Sequence, residues 1–328
     1  MSQPRYFIVR DAAVELPQEC REWASCPTLV MQADEEHKSL SELQRIWDFL
    51  IDNNATRSDI LVNIGGGCIS DIGGLAASTY RRGMRYINVP TTLLSMVDAS
   101  IGGKTGINYR GLKNYIGLIR QPMEVRLYPA FLRTLPTREL LSGVAELLKT
   151  ALLDTPSAVN EALVWIDDWA AQGLTDDLLA RLETMIRRAA ACKERYVAAD
   201  TEDNDIRHAL NLGHTVGHAL EEMHLGALPH GYAVMYGLVA ALYLSVVQQG
   251  LDRRLLQQFS ALMVAHYGRP ECRCRDYDRL MALMHKDKKN EDAENISFVL
   301  LPTVGQPMIR CGVNEALLRE ALDYLFSC

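Results

Sequence analysis

The sequence has no excess of positive charge: 34 Lys and Arg stand against 41 Asp and Glu, a net charge of −7. With a pI near 5.7, that balance argues against non-specific binding to nucleic acid or to an anionic membrane as the main role. The opening residues Met1-Ser2-Gln3-Pro4-Arg5 lead into no apolar run, so no secretory signal is expected. The longest uncharged apolar stretch, Tyr232 to Val247, covers 16 residues and contains Gly237. It is short of a bilayer span and reads as a buried core helix. The eight cysteines are scattered, and the closest pair, Cys272 and Cys274, lacks the Cys-x-x-Cys spacing of zinc or redox sites. Reduced thiols in a cytoplasmic protein are therefore expected. No internal repeat or low-complexity linker interrupts the 328 residues, and 48% are hydrophobic. That is enough apolar surface to offset the entropy of folding, which excludes a disordered chain.

What is there begins with alternation. Tyr6–Val9, Asp59–Ile64 and Arg85–Pro90 are short apolar runs of strand character, the second ending at a glycine cluster. Between the first two, Leu40, Leu43, Ile46, Trp47 and Leu50 recur at helical spacing from Ser39 onward. Strands alternating with helices predict a parallel sheet covered by helices. Past Pro136 the pattern turns helical, over 178–197, 210–223, 233–249 and 254–266, with one late strand-like run at Ile296–Leu301. The expected architecture is an α/β, Rossmann-like nucleotide-binding domain over residues 1–130, followed by a mainly α-helical domain over 131–328, with ligands in the cleft between them.

Three constellations carry chemistry. Gly65-Gly66-Gly67-Cys68-Ile69-Ser70-Asp71 follows the second strand and opens a helix. Backbone N–H groups there suit a pyrophosphate, although Ser70 occupies the place of the last glycine in the usual fingerprint. A plain strand-to-helix turn is the alternative. Gly102-Gly103-Lys104-Thr105 ends like a P-loop, but Asp98 stands where the loop needs its first glycine. Around it, Arg81, Arg82, Arg85, Lys104, Arg110, Lys113 and Arg120 share one stretch with a single acid, Asp98. In an acidic chain such an excess suits a bound phosphate or carboxylate, with a solvated basic face as the alternative. Finally, His214 and His218 lie four residues apart on one helix face, and His230 follows a short turn. With Glu146 these offer the donors of a catalytic zinc site. Glu146 and Lys149, three apart, read equally well as an intrahelical ion pair.

In order along the chain, Glu35-x-x-Lys38, Gly65-Gly66-Gly67-x-x-x-Asp71, Tyr80-x-Arg82-Gly83, Val89-Pro90-Thr91-Thr92-Leu93-Leu94, Val97 to Thr105, Lys113-Asn114, Ala145-Glu146-x-x-Lys149, Leu210-Asn211-Leu212-Gly213-His214, His230-Gly231 and Asp287-Lys288-Lys289 resemble the 3-dehydroquinate synthases, a branch of the sugar phosphate cyclases. The likeness implies that Glu146, His214 and His230 bind zinc or cobalt. It implies NAD at Glu35 and Lys38 through the ribose, at Gly66, Gly67, Asp71, Thr91 and Thr92 around the pyrophosphate and nicotinamide, and at Asp11. It assigns the substrate's phosphate and carboxylate to Lys104, Asn114, Lys193, Arg207, Asn211, His218 and Lys288. Lys113 and Lys149 complete a cationic wall, Asp98 lies near the reacting hydroxyl, and Arg82 reaches the site of a second subunit in a homodimer. The implied reaction turns a phosphorylated seven-carbon keto acid into 3-dehydroquinate in the cytoplasm. Sibling cyclases, which make amino-dehydroquinate, inosose or valiolone products, and metal-dependent polyol dehydrogenases are the alternatives. Two departures stand out: Asp34 replaces a usual glycine before Glu35, and Tyr109-Arg110-Gly111-Leu112 replaces His-Pro-Leu-Gly at equal length.

Overall fold

The computed structural model describes residues 3–272, 274–285 and 295–327. The chain divides into two compact units, one of residues 1–140 with 174–194 and the other of 141–173 with 195–328.

The first unit is built on a five-stranded parallel sheet in the order β2-β1-β3-β4-β7. Its strands are β1 (Tyr6–Asp11), β2 (Thr28–Met31), β3 (Ile60–Gly65), β4 (Arg85–Pro90) and β7 (Glu124–Val125). Central β3 is buried at every residue, as a parallel strand covered on both faces must be. Helix α1 (Leu40–Asp52) starts where the Ser39 side chain accepts a hydrogen bond from the Glu42 backbone N–H at 3.4 Å, the N-terminal half of a capping box. It buries Leu43, Ile46 and Leu50 along one stripe. Helix α2 (Gly67–Thr79) carries Gly73 and Gly74 against the sheet, where a Cβ on Gly73 would sit 2.0 Å from the Asn63 side chain. An antiparallel hairpin, β5 (Lys104–Tyr109) and β6 (Leu112–Ile119), turns at Arg110 and Gly111, both at positive φ. That geometry is the one that suits the twist of a two-residue hairpin, and it is what the Tyr-Arg-Gly-Leu departure builds.

The second unit is mainly helical. It contains α3 (Thr137–Asp154) from Leu141 on, α4 (Pro156–Gln172), the last turn of α5 (Asp176–Ala199), α6 (His214–Met223), α7 (His230–Gln249), α8 (Arg253–His266), α9 (Tyr277–His285) and α10 (Glu315–Ser327). A hairpin of β8 (Ile296–Thr303) and β9 (Gln306–Val313) completes it. At 20 residues α7 is longer than its apolar stretch suggested. By length and composition alone it could cross a bilayer, yet 72% of its apolar window is buried inside the protein.

One buried carboxylate secures the start of the sheet. Asp59 accepts hydrogen bonds from the Arg5 backbone N–H (3.0 Å), the Arg5 guanidinium (2.9 Å), and the Thr56 N–H (2.8 Å) and hydroxyl (3.0 Å). Burial raises its pKa, but these donors outweigh burial and hold it down at about 2. Such a depressed carboxyl stabilises the fold fully above its unfolded pKa of about 4, and the contribution is lost as pH falls toward the folded value. Asp59→Asn should therefore cost about 1–2 kcal/mol in urea unfolding near neutral pH. The gap from the parent should narrow at about pH 3; an equal gap at both pH values would refute the assignment.

Candidate active site

In the first unit the strand order sets the site. The sheet runs outward from β1 to β2 on one side and from β3 to β4 on the other, so the connections reverse between β1 and β3. Ligands of open α/β sheets bind at that crevice, beyond the carboxyl ends of the strands. Asp11 closes β1, where its side chain accepts from the Ala13 N–H at 2.9 Å. Gly65 closes β3, and Gly66 is the N-cap of α2. The next turn packs on this one: the Thr91 N–H donates to the Gly65 carbonyl at 3.0 Å, and a Cβ on Gly66 would lie 3.3 Å from the Thr92 methyl. Four nucleotide candidates, Gly66, Gly67, Thr91 and Thr92, are thus side by side at a helix N-terminus.

The rest of that group meets at Lys38. Its buried ammonium contacts the Asp71 carboxylate and the Asn114 side-chain oxygen. Burial pushes the Asp71 pKa up, and the Lys38 charge opposes that. Asn108 joins both ends of the cluster: its amide donates to Glu35 Oε1 at 2.8 Å, and its oxygen accepts from the Asn114 N–H at 2.8 Å. Asn114, a phosphate candidate, is therefore placed among the nucleotide candidates. Asp98 sits in a π-helical turn, Ser95–Ala99, with Lys193 Nζ 2.9 Å from its carboxylate and 2.6 Å from its carbonyl oxygen. Lys104, Lys113 and Arg82 are exposed, and Arg82 has positive φ.

The second unit holds the metal candidates. Glu146 is wholly buried on α3, His214 begins α6 and His230 begins α7. Close helix packing brings them together. A Cβ on Gly231 would lie 2.0 Å from the Ser142 carbonyl oxygen of α3, and one on Gly237 would lie 1.8 Å from that of Gly213. Only glycine allows these approaches. As a result Glu146 Oε1 is 3.5 Å from His214 Nε2 and 3.2 Å from His230 Nε2. Tetrahedral ligands about 2.0–2.1 Å from one zinc ion are separated by roughly 3.3 Å, so the spacing fits a shared cation.

The hydrogen bonds support the same reading. His214 Nδ1 faces the Leu212 carbonyl at 3.2 Å, and His230 Nδ1 faces Glu221 Oε2 at 2.9 Å. Each Nδ1 is therefore assigned the proton, which leaves two bare Nε2 lone pairs and a carboxylate oxygen converging on one place. Three acceptors cannot satisfy one another without a cation or an added proton. Burial disfavours charge on His230, but Glu146 and Glu221 push its pKa up to about 10. Burial likewise raises Glu146, yet the Lys149 charge and the His230 hydrogen bond hold it well below the usual carboxylate range. Lys149 Nζ lies 2.5 Å from Glu146 Oε2, and both side chains are inaccessible. His218 completes the cluster, its ring 5.0 Å from that of His214 and 6.0 Å from that of His230.

Arg207 is buried in this unit, its guanidinium donating to the Thr201 carbonyl at 3.1 Å; Asn211 donates to the His208 carbonyl at 3.1 Å. Lys288 lies outside the described residues. Three further residues that belong to none of the sequence motifs support the site: Asn108, Asp200 and Glu221. Asp200 gathers the N–H groups of Asn204, Asp205 and Arg207 at 2.7–3.2 Å and so shapes the loop that presents Arg207. Of the three, Glu221 alone left a signal, since His214, His218 and Glu221 follow i, i+4, i+7 spacing on one helix face.

Comparison with known proteins places this geometry in a family. The family described as 3-dehydroquinate synthase matches with its N-terminal part over residues 28–142 and its C-terminal part over 143–290. A 3-dehydroquinate synthase of Parabacteroides distasonis is 39% identical over 328 residues, covering 98% of this chain and 91% of the relative. One of Clostridium tetani is 37% identical, covering 88% and 76%. Among solved structures, a 2-epi-5-epi-valiolone synthase of Streptomyces hygroscopicus with NAD+ and Zn2+ bound matches with a TM-score of 0.83 at 26% identity, over 98% of this chain and 91% of that one. A probable glycerol dehydrogenase of Sinorhizobium meliloti, at 17% identity over 99% and 90% with a TM-score of 0.60, shares the fold. Matched in both halves and across nearly its whole length, the chain belongs to the 3-dehydroquinate synthase family.

Proposed function

We propose that this chain is a carbon–oxygen lyase that converts 3-deoxy-D-arabino-heptulosonate 7-phosphate to 3-dehydroquinate and phosphate, with NAD and a zinc or cobalt ion as cofactors. The observation that carries the reading is the convergence of Glu146 Oε1 with the two Nε2 atoms of His214 and His230, in a chain of this family. When bound, NAD takes and returns a hydride, and the cation acidifies the hydroxyl being oxidised.

The chain's own residues do the rest. Glu146, His214 and His230 hold the cation, and Lys149 balances the buried carboxylate from its other oxygen. Gly66 and Gly67 offer N–H groups to the pyrophosphate; Glu35 and Lys38 take the ribose; Asp11, Asp71, Thr91 and Thr92 line the remainder. Lys104, Lys193, Asn114 and Lys113 receive the substrate's phosphate and spread the charge that grows as it leaves. Arg207, Asn211, His218 and Lys288 orient the carboxylate and ring oxygens. Asp98, steadied by Lys193, lies near the reacting hydroxyl, and the bound phosphate itself takes up the proton lost in elimination. Arg82 serves a second copy of the chain, in a homodimer supported by the exposed Leu112, Tyr115, Ile116 and Ile119 of β6. The cytoplasm is the expected compartment, consistent with six described cysteines that are all unbridged.

Phosphate release should require NAD and be abolished by chelation, with zinc or cobalt restoring it. Full activity in metal-free protein would refute the ligand set. A preference for sedoheptulose 7-phosphate, glucose 6-phosphate or the amino analogue of the keto acid would assign the chain to a sibling reaction. Net formation of NADH from a polyol would assign it to dehydrogenase chemistry.

Arg207→Ala should lower kcat/KM for the carboxylated substrate by a factor equivalent to about 2–4 kcal/mol, the cost of leaving a desolvated charge unpaired. An unchanged kcat/KM would remove Arg207 from carboxylate recognition.

A further inference from the structure

One half-buried charged contact lies outside the cation's donor set. Glu221, on α6, places Oε2 2.9 Å from His230 Nδ1, on the ring edge away from the Nε2 that faces Glu146. An imidazole can present a bare Nε2 only while Nδ1 holds the proton, and an isolated imidazole exchanges that proton between its nitrogens and turns about its side-chain bonds. His214 is fixed in the same sense by a backbone carbonyl, whereas His230 depends on a side chain three residues from His218. His230 is also the more accessible of the two, 33% exposed against 10% for His214, so it has more room to swing.

We propose that Glu221 is the positioning residue of the cation site: it accepts the Nδ1–H of His230, fixing the tautomer and aiming Nε2 at the point shared with Glu146 and His214. This inference rests on the cation reading above. His218, Glu221 and His230 also lie close enough to ligate an ion by themselves. However, the 2.9 Å between Glu221 Oε2 and Nδ1 is a hydrogen-bond distance, shorter than the roughly 3.3 Å between tetrahedral zinc ligands, and favours Glu221 as the acceptor of the Nδ1 proton.

The test is zinc affinity of the full, metal-stripped chain, measured by competition with a chromophoric chelator. Glu221→Ala should bind zinc about 10–100-fold more weakly than the parent. Glu221→Gln, whose amide oxygen still accepts from Nδ1, should recover most of that loss. Glu222→Ala, an exposed neighbour on the same helix, should bind as the parent does. Parent affinity in Glu221→Ala, or a Gln variant no better than Ala, would overturn the proposal. So would equal weakening by Glu222→Ala, because the effect would then belong to the helix. Two zinc ions per parent chain, with one lost in Glu221→Ala, would make Glu221 a ligand and overturn it as well. If the parent itself fails to bind zinc, the cation reading fails first and this inference with it.

Discussion

The second unit depends on burying the carboxylate of Glu146, which no water reaches. An isolated carboxylate in such surroundings would take up a proton rather than stay charged. Lys149, one turn along α3, keeps it ionised from one oxygen, and two imidazoles face the other. Counting Glu221 as well, the cluster holds two anions and one fixed cation when both imidazoles are neutral. It therefore attracts positive charge. A proton on His230 neutralises it, whereas a divalent ion would leave a net positive charge, suited to an oxygen that becomes anionic during reaction. The charge balance and the donor geometry thus both favour added positive charge at this one place.

Backbone geometry makes that cluster possible. Three helices must approach until side chains from each reach a common atom, and the sequence removes side chains where they would prevent it. Gly231 abuts α3 one residue past the candidate ligand His230, and Gly213, at φ 79°, abuts α7 one residue before the candidate ligand His214. Each glycine adjoins a histidine, so a single substitution would both separate the helices and displace a donor. Packing and chemistry are set by the same residues here, and this is why α7 must be a core helix despite its apolar length.

In the first unit the site follows from topology. Parallel strands place all their carboxyl ends on one edge, and reversal of the strand order between β1 and β3 opens a gap there. The glycine turn supplies N–H groups at that gap, and the β5–β6 hairpin is tied to it through Asn108, Asn114 and Lys38. The hairpin proposed to bind an anion and the turn proposed to bind the nucleotide thereby share one hydrogen-bonded network.

Elements with a strong local period were legible in the sequence. Helix α1 has its cap at Ser39 and a single apolar stripe, and β3 is an unbroken apolar run ending in glycine. Strand β6 was not legible, because nearly all its residues are exposed and no alternation of apolar and polar positions marks a buried face. Nor does any local feature show that residues 174–194 return to the first unit while the end of the same helix α5 belongs to the second. That assignment is made by partners far along the chain, such as Asp98 for Lys193. The metal candidates sit between these cases. The spacing of His214 and His218 was visible, but Glu146 and Lys149 admitted either an ordinary ion pair or a ligand with its neighbour. The structure makes those two readings compatible, since a carboxylate has two oxygens: Oε2 forms the ion pair, and Oε1 is left facing the imidazoles. A spacing rule treats the side chain as one point, and the distinction that matters here is between two atoms of the same group.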